Sequence, residues 1–253
     1  MTGPAEGLLA QEREPKWIAL GHPSYVWRFG QDRRLDLIRR FAPLEDRWVL
    51  DVGCGLGTYV KEFRRYTPHA FGIDVDEDRV AQGSRTLPYL QVCASEYLPF
   101  PDRTFDVVVL NEVIEHVHDD ARTVAECLRV LRPGGRIVIF APNRLYFFET
   151  HGIYLGRRYV FRLIPLVNWL PDRLRHVFAP HVRAYTTGDI NRLFANQPAR
   201  IVHRGYVYPG FDNIIGRHPG VGRLLRSFFY ALETTPLQVF GLSHFVVAER
   251  EAR

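Results

Sequence analysis

Three glycines at alternate positions, Gly53, Gly55 and Gly57, directly follow the apolar run Trp48–Val52. A chain without Cβ atoms can turn sharply and lets a ligand lie against the main chain, and such turns behind a strand often hold nucleotides. Asp74 follows at the end of the next apolar run, and its carboxylate can accept hydrogen bonds from both hydroxyls of a ribose. These residues predict a nucleotide-type cofactor, with NAD and S-adenosylmethionine both open at this point.

Two features favour S-adenosylmethionine. The glycines follow a G-x-G-x-G pattern, and Thr58 stands where a dinucleotide fingerprint would have its last glycine. Acidic residues are dense around the expected pocket: Asp51, Asp74, Asp76, Glu77, Glu112 and Glu115. They would repel a pyrophosphate and attract a sulfonium and an ammonium group.

Short apolar runs alternate with helix-like ones along the chain, which predicts βαβ units and a parallel sheet. The strand-like runs are Trp48–Val52, Ala70–Asp74, Tyr89–Cys93, Phe105–Leu110, Arg136–Ala141, Ala199–Val207 and Ser243–Glu249. The predicted helices are Tyr25–Phe41, Thr58–Tyr66, Glu77–Ser84 and Asp119–Leu131. Pro133-Gly134-Gly135 predicts a turn ahead of the fifth strand. Ligands of parallel sheets bind beyond the carboxyl ends of the strands, where the glycines lie.

The segments "VLDVGCGLG", "FGIDVDEDRV", "LPFPDRTFDVVVLNEVIEHVHD" and "ECLRVLRPGGRIVIFAPN" resemble the successive motifs of class I S-adenosylmethionine (SAM)-dependent methyltransferases. The small-molecule branch, with the ubiquinone-biosynthesis O-methyltransferases, is the most similar. The resemblance covers Arg47 to Asn143, with a weaker likeness at His181–Phe194. It implies a Rossmann-like α/β fold with a seven-stranded, mostly parallel sheet flanked by helices. The last strand is antiparallel, and cap insertions follow strand 5 and lie between strands 6 and 7.

The resemblance also implies cofactor contacts. The methionine half of SAM would lie beside the glycine turn, with Asp74 on the ribose and Val75 against the adenine. Family members often have an aspartate for the adenine amino group where this chain has Ala94. Adenine would then be held by the backbone at Ser95 or Glu96, or by the Glu96 carboxylate. The implied cofactor-binding set is Asp51, Gly53, Cys54, Gly55, Gly57, Asp74, Val75, Ser95, Glu96, Asn111 and Glu112.

A hydroxyl acceptor of a methyl group reacts faster when a base takes its proton, and histidine titrates near neutral pH. His116 follows the fourth strand and His181 opens the weaker family-like stretch, so these two are the predicted catalytic residues; His151 is a third candidate. The three cysteines lack zinc-site or disulfide-framework spacing. We therefore predict no metal site and a reducing compartment.

We predict one domain over residues 1–253, with an N-terminal helical cap (1–46), a SAM-binding core (47–143) and acceptor-side insertions (144–183 and 208–242). The first insertion carries seven arginines against Glu149 and Asp172, with many aromatic residues between them. The formal net charge of the chain is +5. Such a cap suits a large, apolar, anionic or membrane-associated acceptor, although it also suits a lid that simply packs on the domain.

The leading functional prediction is O-methylation of a small or lipid-like acceptor; the main alternative is a SAM-binding subunit or sensor without catalysis. An NAD(P) oxidoreductase and an RNA 2′-O- or tRNA methyltransferase rank lower. Base methylation is disfavoured because Asn111-Glu112-Val113-Ile114 replaces an Asn/Asp-Pro-Pro-aromatic motif and no Pro-Cys pair exists. No secretory leader pattern opens the chain. The expected location is the cytoplasm, with peripheral contact to the inner face of the membrane as the second option.

Overall fold

The computed structural model describes residues 27–252. Residues 1–26 lie outside the described part. They include the start of the predicted N-terminal cap, the first two residues of the predicted helix Tyr25–Phe41 and the segment in which a leader pattern was sought. The helix itself begins at Phe29 and ends at Phe41, and we call it α1.

Seven strands form one sheet: β1 (Val49–Val52), β2 (Ala70–Asp74), β3 (Leu90–Val92), β4 (Phe105–Asn111), β5 (Leu131–Pro142), β10 (Ala199–Val207) and β11 (Ser243–Arg250). Their order in the sheet is β10–β11–β5–β4–β1–β2–β3. Valine and leucine make up most of the central strands Val49–Val52 and Phe105–Asn111, which are buried on both faces as parallel strands usually are. β11 runs antiparallel to both of its neighbours, and the pairs among β1 to β5 are parallel. The predicted sheet is thereby confirmed.

The predicted turn at Pro133-Gly134-Gly135 is wrong in one respect, because the structure places these residues inside β5. Phe105 of β4 pairs with Leu131, but Val107 pairs with Arg136, so the additional residues of β5 form an irregularity in the ladder. Gly134 has φ +76°, a left-handed conformation that glycine adopts without strain. The sequence correctly located a break in the regular structure, and the strand absorbs it as a bulge.

Helices cover both faces of the sheet. Besides α1 they are α2 (Thr58–Phe63), α3 (Glu77–Ser84), α4 (Asp120–Val130), α5 (Asp172–Phe178), α6 (Thr187–Phe194), α7 (Asp212–Arg217) and α8 (Pro219–Leu232). One core layer lies under α4 and α6, and the other lies under α1 and α2. In α4 the side chains of Val124, Cys127 and Leu128 are buried, and Asp119 accepts the Arg122 N–H to cap the first turn.

Two insertions leave the sheet at the positions predicted. Between β5 and α6, the chain forms two short antiparallel pairs, β6 (Phe148–Glu149) with β9 (Ile164–Pro165) and β7 (Ile153–Leu155) with β8 (Arg158–Val160), and then α5. Between β10 and β11 it forms α7 and α8. In the part of the chain that the structure describes, no helix is both long and apolar enough to span a bilayer.

Candidate active site

A cavity of about 1660 Å³ lies beyond the carboxyl ends of β1, β2 and β4. Its walls come from the sheet, from α1 and from both insertions, so cofactor-side and cap residues share one space. Seven predicted cofactor residues line it: Gly53, Asp74, Val75, Ser95, Glu96, Asn111 and Glu112. The three candidate histidines, His116, His151 and His181, line it as well. Ligands of open parallel sheets occupy this position.

The glycine turn requires glycine for two reasons. Gly53 has φ +74°, and a Cβ there would lie 2.3 Å from Cγ2 of Val113. Gly57 has φ +79° and precedes the first residue of α2. The N–H groups of Gly53 and Cys54 donate to the carbonyl of Ile73 at 2.8 and 2.9 Å, which ties the turn to β2. The result is a bare backbone at the cavity wall.

The Asp74 carboxylate connects the glycine turn to the end of β2 at the edge of the cavity. One carboxylate oxygen accepts the Gly55 N–H at 2.7 Å, and the other accepts the Asp76 N–H at 2.9 Å. A carboxylate offers about four lone-pair sites, so capacity for two further hydrogen bonds remains. Val75 next to it is 71% exposed. Asp74 therefore combines a fixed position with free acceptor capacity at the cavity.

The other four predicted cofactor residues lie behind the cavity wall. Asp51 is only 3% exposed, and burial together with the nearby Asp74 carboxylate raises its pKa well above the ordinary value. Burial also raises the pKa of the Cys54 thiol, which suits a small packing residue rather than a nucleophile. Gly55 and Gly57 act through the shape of the turn.

Where the sequence predicts the adenine, both oxygens of the Glu96 carboxylate already have partners. One accepts the N–H groups of His118 and Asp119 at 2.9 and 3.2 Å, and the other accepts the Ser95 hydroxyl at 3.3 Å. The Ser95 hydroxyl also meets that of Thr123 at 3.0 Å. The sequence predicts that adenine is held either by the backbone at Ser95 or Glu96 or by the Glu96 carboxylate. Because the carboxylate is already engaged, the structure favours the backbone contact.

Arg34 on α1 was missed by the sequence analysis. Its guanidinium donates to the side chains of Asn111 and Glu112, and to the Ser243 hydroxyl at 3.1 Å. Ser243 in turn donates to Glu112, whose backbone has φ +57°. Glu112 lies 78 residues from Arg34 in the chain, and no motif connects them. Arg34 thus holds the two residues expected beside the methyl group.

The two predicted catalytic histidines both reach the cavity. His116 has its Nε2 atom 3.8 Å from a Glu115 oxygen, and burial and the neighbouring His151 lower its pKa to about 4, so the ring is neutral at pH 7. The Nε2 atom of His181 lies 3.3 Å from the His151 carbonyl oxygen. A role as proton acceptor stays a prediction for both.

His151, the third candidate, has the most elaborate surroundings. Its Nδ1 atom lies 3.0 Å from the buried Glu149 carboxylate, which also accepts the buried Arg175 guanidinium at 2.9 Å. Its Nε2 atom points the other way and lies 3.7 Å from Glu115. One ligand atom each of Glu115, His116 and His151 lie within 4.8 Å of one another, so these side chains could hold a metal ion. Spacing in the sequence does not reveal this group, because His151 comes from the insertion.

Known proteins resemble the core of this chain. Residues 50–139 match the methyltransferase domain family. A ubiquinone biosynthesis O-methyltransferase of Aromatoleum aromaticum is 33% identical over 139 residues, which is 52% of this chain and 59% of that protein. A ubiquinone/menaquinone biosynthesis C-methyltransferase of Geobacter sulfurreducens is 38% identical over 161 residues, 56% of this chain and 60% of that protein. The chain therefore spans about six tenths of the length of these curated relatives.

The fold also matches solved structures. A SAM-dependent methyltransferase from Mesorhizobium loti superposes with a TM-score of 0.60 at 19% identity, covering 85% of this chain and 96% of the other. At 19% identity this superposition shows the fold alone, whereas the family match concerns residues 50–139. The four ordered motifs, the sheet order and these matches identify residues 50–139 as a methyltransferase domain of the class I SAM-dependent type.

Proposed function

We propose that this protein binds SAM at the glycine turn and transfers its methyl group to an acceptor held under the cap. One observation carries the proposal: a single cavity joins the wall formed by Asp74 and the glycine turn to the wall formed by the two insertions. The residues fit this cofactor, because Asp74 has free acceptor capacity and the turn presents bare backbone. SAM, when bound, supplies a methyl group on positively charged sulfur.

The chain's own contribution is mainly positioning. Holding two reactants in line can account for a large share of the acceleration of such a reaction. Arg34 fixes the side chains of Asn111 and Glu112 near the expected methyl position. The insertions then cover the acceptor and keep water out. A role in positioning agrees with the hydrogen bonds among Arg34, Asn111, Glu112 and Ser243, which fix these polar side chains relative to one another.

The cap side of the cavity supports an apolar acceptor. Aromatic and aliphatic side chains make up most of that wall: Tyr146, Phe148, Tyr159, Phe161, Leu163, Tyr208, Phe211 and Tyr230. The cavity is larger than the usual 300–1,000 Å³ or so of a small-ligand pocket, which leaves room for an acceptor beside the cofactor. We infer a small aromatic or lipid-like molecule with a hydroxyl group, and hence O-methylation. The His181 imidazole, which also lines this cavity, suits that chemistry, because a hydroxyl must lose its proton.

Deuterated SAM tests the proposal directly. Protein incubated with trideuteromethyl SAM and a lipid and metabolite extract should produce a molecule that carries the labelled methyl group, with S-adenosylhomocysteine released alongside. Mass spectrometry identifies the acceptor and the methylated atom. SAM binding by calorimetry without any labelled product from several extracts would instead support the SAM-binding subunit or sensor. Binding of NAD(P) in place of SAM would contradict the proposal altogether.

The surface around the cap supports an acceptor drawn from an anionic bilayer. Leu155 and Leu163 are exposed on the first insertion, and Val221, Leu224 and Phe228 form an exposed apolar face of α8. Arg157, Arg158 and Arg162, on the same insertion as Leu155 and Leu163, are exposed as well. Within residues 27–252, none of these three arginines has a salt bridge. Basic and apolar side chains together suit lipid headgroups and the acyl boundary.

Replacing Arg157, Arg158 and Arg162 together by glutamine should weaken vesicle binding. Each basic residue near an anionic surface contributes about 1 kcal/mol, so the variant should bind vesicles of phosphatidylglycerol and phosphatidylcholine at least about tenfold more weakly at low salt. Because salt screens the attraction, the difference should shrink as salt rises. Sedimentation with the vesicles measures it.

The matched control replaces Arg65, Arg85 and Arg200, which lie outside both insertions, and removes the same charge. It should bind vesicles more tightly than the cap variant. If the unchanged protein ignores anionic vesicles at low salt, the bilayer part of the proposal is wrong and the cap covers an acceptor taken from solution.

A further inference from the structure

Glu115, His116 and His151 converge on one point between the core and the first insertion. Glu115 and His116 follow β4, and His151 lies between β6 and β7. Oε1 of Glu115 lies 3.8 Å from Nε2 of His116 and 3.7 Å from Nε2 of His151. These distances are too long for hydrogen bonds. Two ligands that each lie about 2.1 Å from a shared ion stand roughly 3–4 Å apart, and the observed separations are of that size.

The Glu115 carboxylate is an unusual group to find buried. It is 1% exposed, and among the described residues neither of its oxygens has a hydrogen-bond partner. A buried carboxylate is unfavourable unless it is paired or binds a metal ion. The nearby guanidinium of Arg34 is already committed to Asn111, Glu112 and Ser243. Glu115 therefore lies beside the Glu112 carboxylate and two imidazoles, and within residues 27–252 no guanidinium or ammonium group forms a salt bridge with it.

His151 is oriented as metal-binding histidines usually are. Its Nδ1–H donates to Glu149 at 3.0 Å, which leaves the lone pair of Nε2 directed toward Glu115. Glu149 is itself held by the His151 backbone N–H and by Arg175, each at 2.9 Å. A carboxylate behind a histidine in this way sets the ring tautomer and raises its strength as a ligand.

We propose that Glu115, His116 and His151 bind a divalent transition-metal ion, with an open coordination position toward the cavity. Two imidazoles and one carboxylate suit Zn²⁺ and its first-row neighbours better than Mg²⁺ or Ca²⁺, which prefer oxygen ligands. Since His151 belongs to the insertion, the ion joins the cap to the core. The sequence-based expectation of no metal site is revised by this proposal.

Cobalt is a suitable probe because its visible absorption reports nitrogen and oxygen ligands directly. Protein freed of metal with a chelator should bind one Co²⁺ per chain, with a visible band that Zn²⁺ then removes by competition. His151→Gln and Glu115→Gln should each weaken Co²⁺ binding at least tenfold. Glu149→Gln should weaken it about 10–100-fold, the usual effect of losing such a supporting partner. His176→Gln, which changes an exposed histidine of the same insertion, should leave it unchanged.

Circular dichroism of each variant shows that it is folded before binding is compared. Should the unchanged protein bind no stoichiometric Co²⁺, or should folded His151→Gln bind it as tightly as the unchanged protein, the metal site is wrong. The titration measures Co²⁺ binding and not methyl transfer. The metal site can therefore be confirmed or contradicted even if the proposed methyltransferase function is wrong.

Discussion

Asp74→Ala should weaken SAM binding by about 100-fold. In the structure two oxygens of this carboxylate hold Gly55 and Asp76, and capacity for two more hydrogen bonds faces the cavity. Two charge-assisted bonds to ribose hydroxyls, at about 1.5–3 kcal/mol each, correspond to about 3 kcal/mol or more. Every 1.4 kcal/mol or so changes the dissociation constant tenfold. Titration calorimetry with SAM measures the loss.

Two further variants separate the ribose contact from a general effect on the loop. Asp74→Asn keeps one acceptor oxygen without the charge, so its SAM affinity should fall between those of the unchanged protein and Asp74→Ala. Glu77→Ala removes an exposed acid three positions later that does not line the cavity, and its affinity should stay within about twofold. An Asp74→Ala protein that is folded and binds SAM normally would remove Asp74 from the cofactor site.

Arg175→Met should destabilise the first insertion by about 3–5 kcal/mol. The Arg175 side chain is buried and donates to Glu149, to the Asn168 side chain and to the Val182 carbonyl. Breaking a buried ion pair from one side leaves the other charge without compensation, which carries a penalty of about this size. Hydrogen exchange should show faster opening of residues 144–183 than of the sheet.

Arg173→Met is the matched control, because Arg173 is exposed on the same helix, two positions away. Its effect should stay within about 0.5 kcal/mol. The double variant Glu149→Gln, Arg175→Met removes the uncompensated charge and should recover part of the lost stability. Equal denaturation midpoints for Arg175→Met and the unchanged protein would show that the buried pair does not hold the insertion.

Some features of this protein follow from the sequence because they depend on neighbours along the chain. The strands of the sheet and the turn that joins Gly53 to Gly57 are encoded in short runs, and β2 (Ala70–Asp74) and β10 (Ala199–Val207) have the predicted bounds. Asp74 is predictable as well, since the end of β2 must lie beside the end of β1 in a parallel pair. The Pro133–Gly135 break was visible, although whether it becomes a turn or a bulge depends on its pairing with β4.

The features that define the acceptor side depend on contacts between distant segments, and only the tertiary structure shows them. Arg34 meets Glu112 across 78 residues, and Glu149 meets Arg175 across 26. Glu115 looks in the sequence like an ordinary acid near a helix start. Only the packing of the insertion on the sheet shows that it is buried with no hydrogen-bond partner among residues 27–252. The local sequence therefore determined the sheet and the cofactor turn, because backbone geometry and hydrophobic periodicity act over a few residues. Packing of the insertion on the core decided which histidine stands beside which carboxylate, because burial and pairing of charges are properties of the assembled chain.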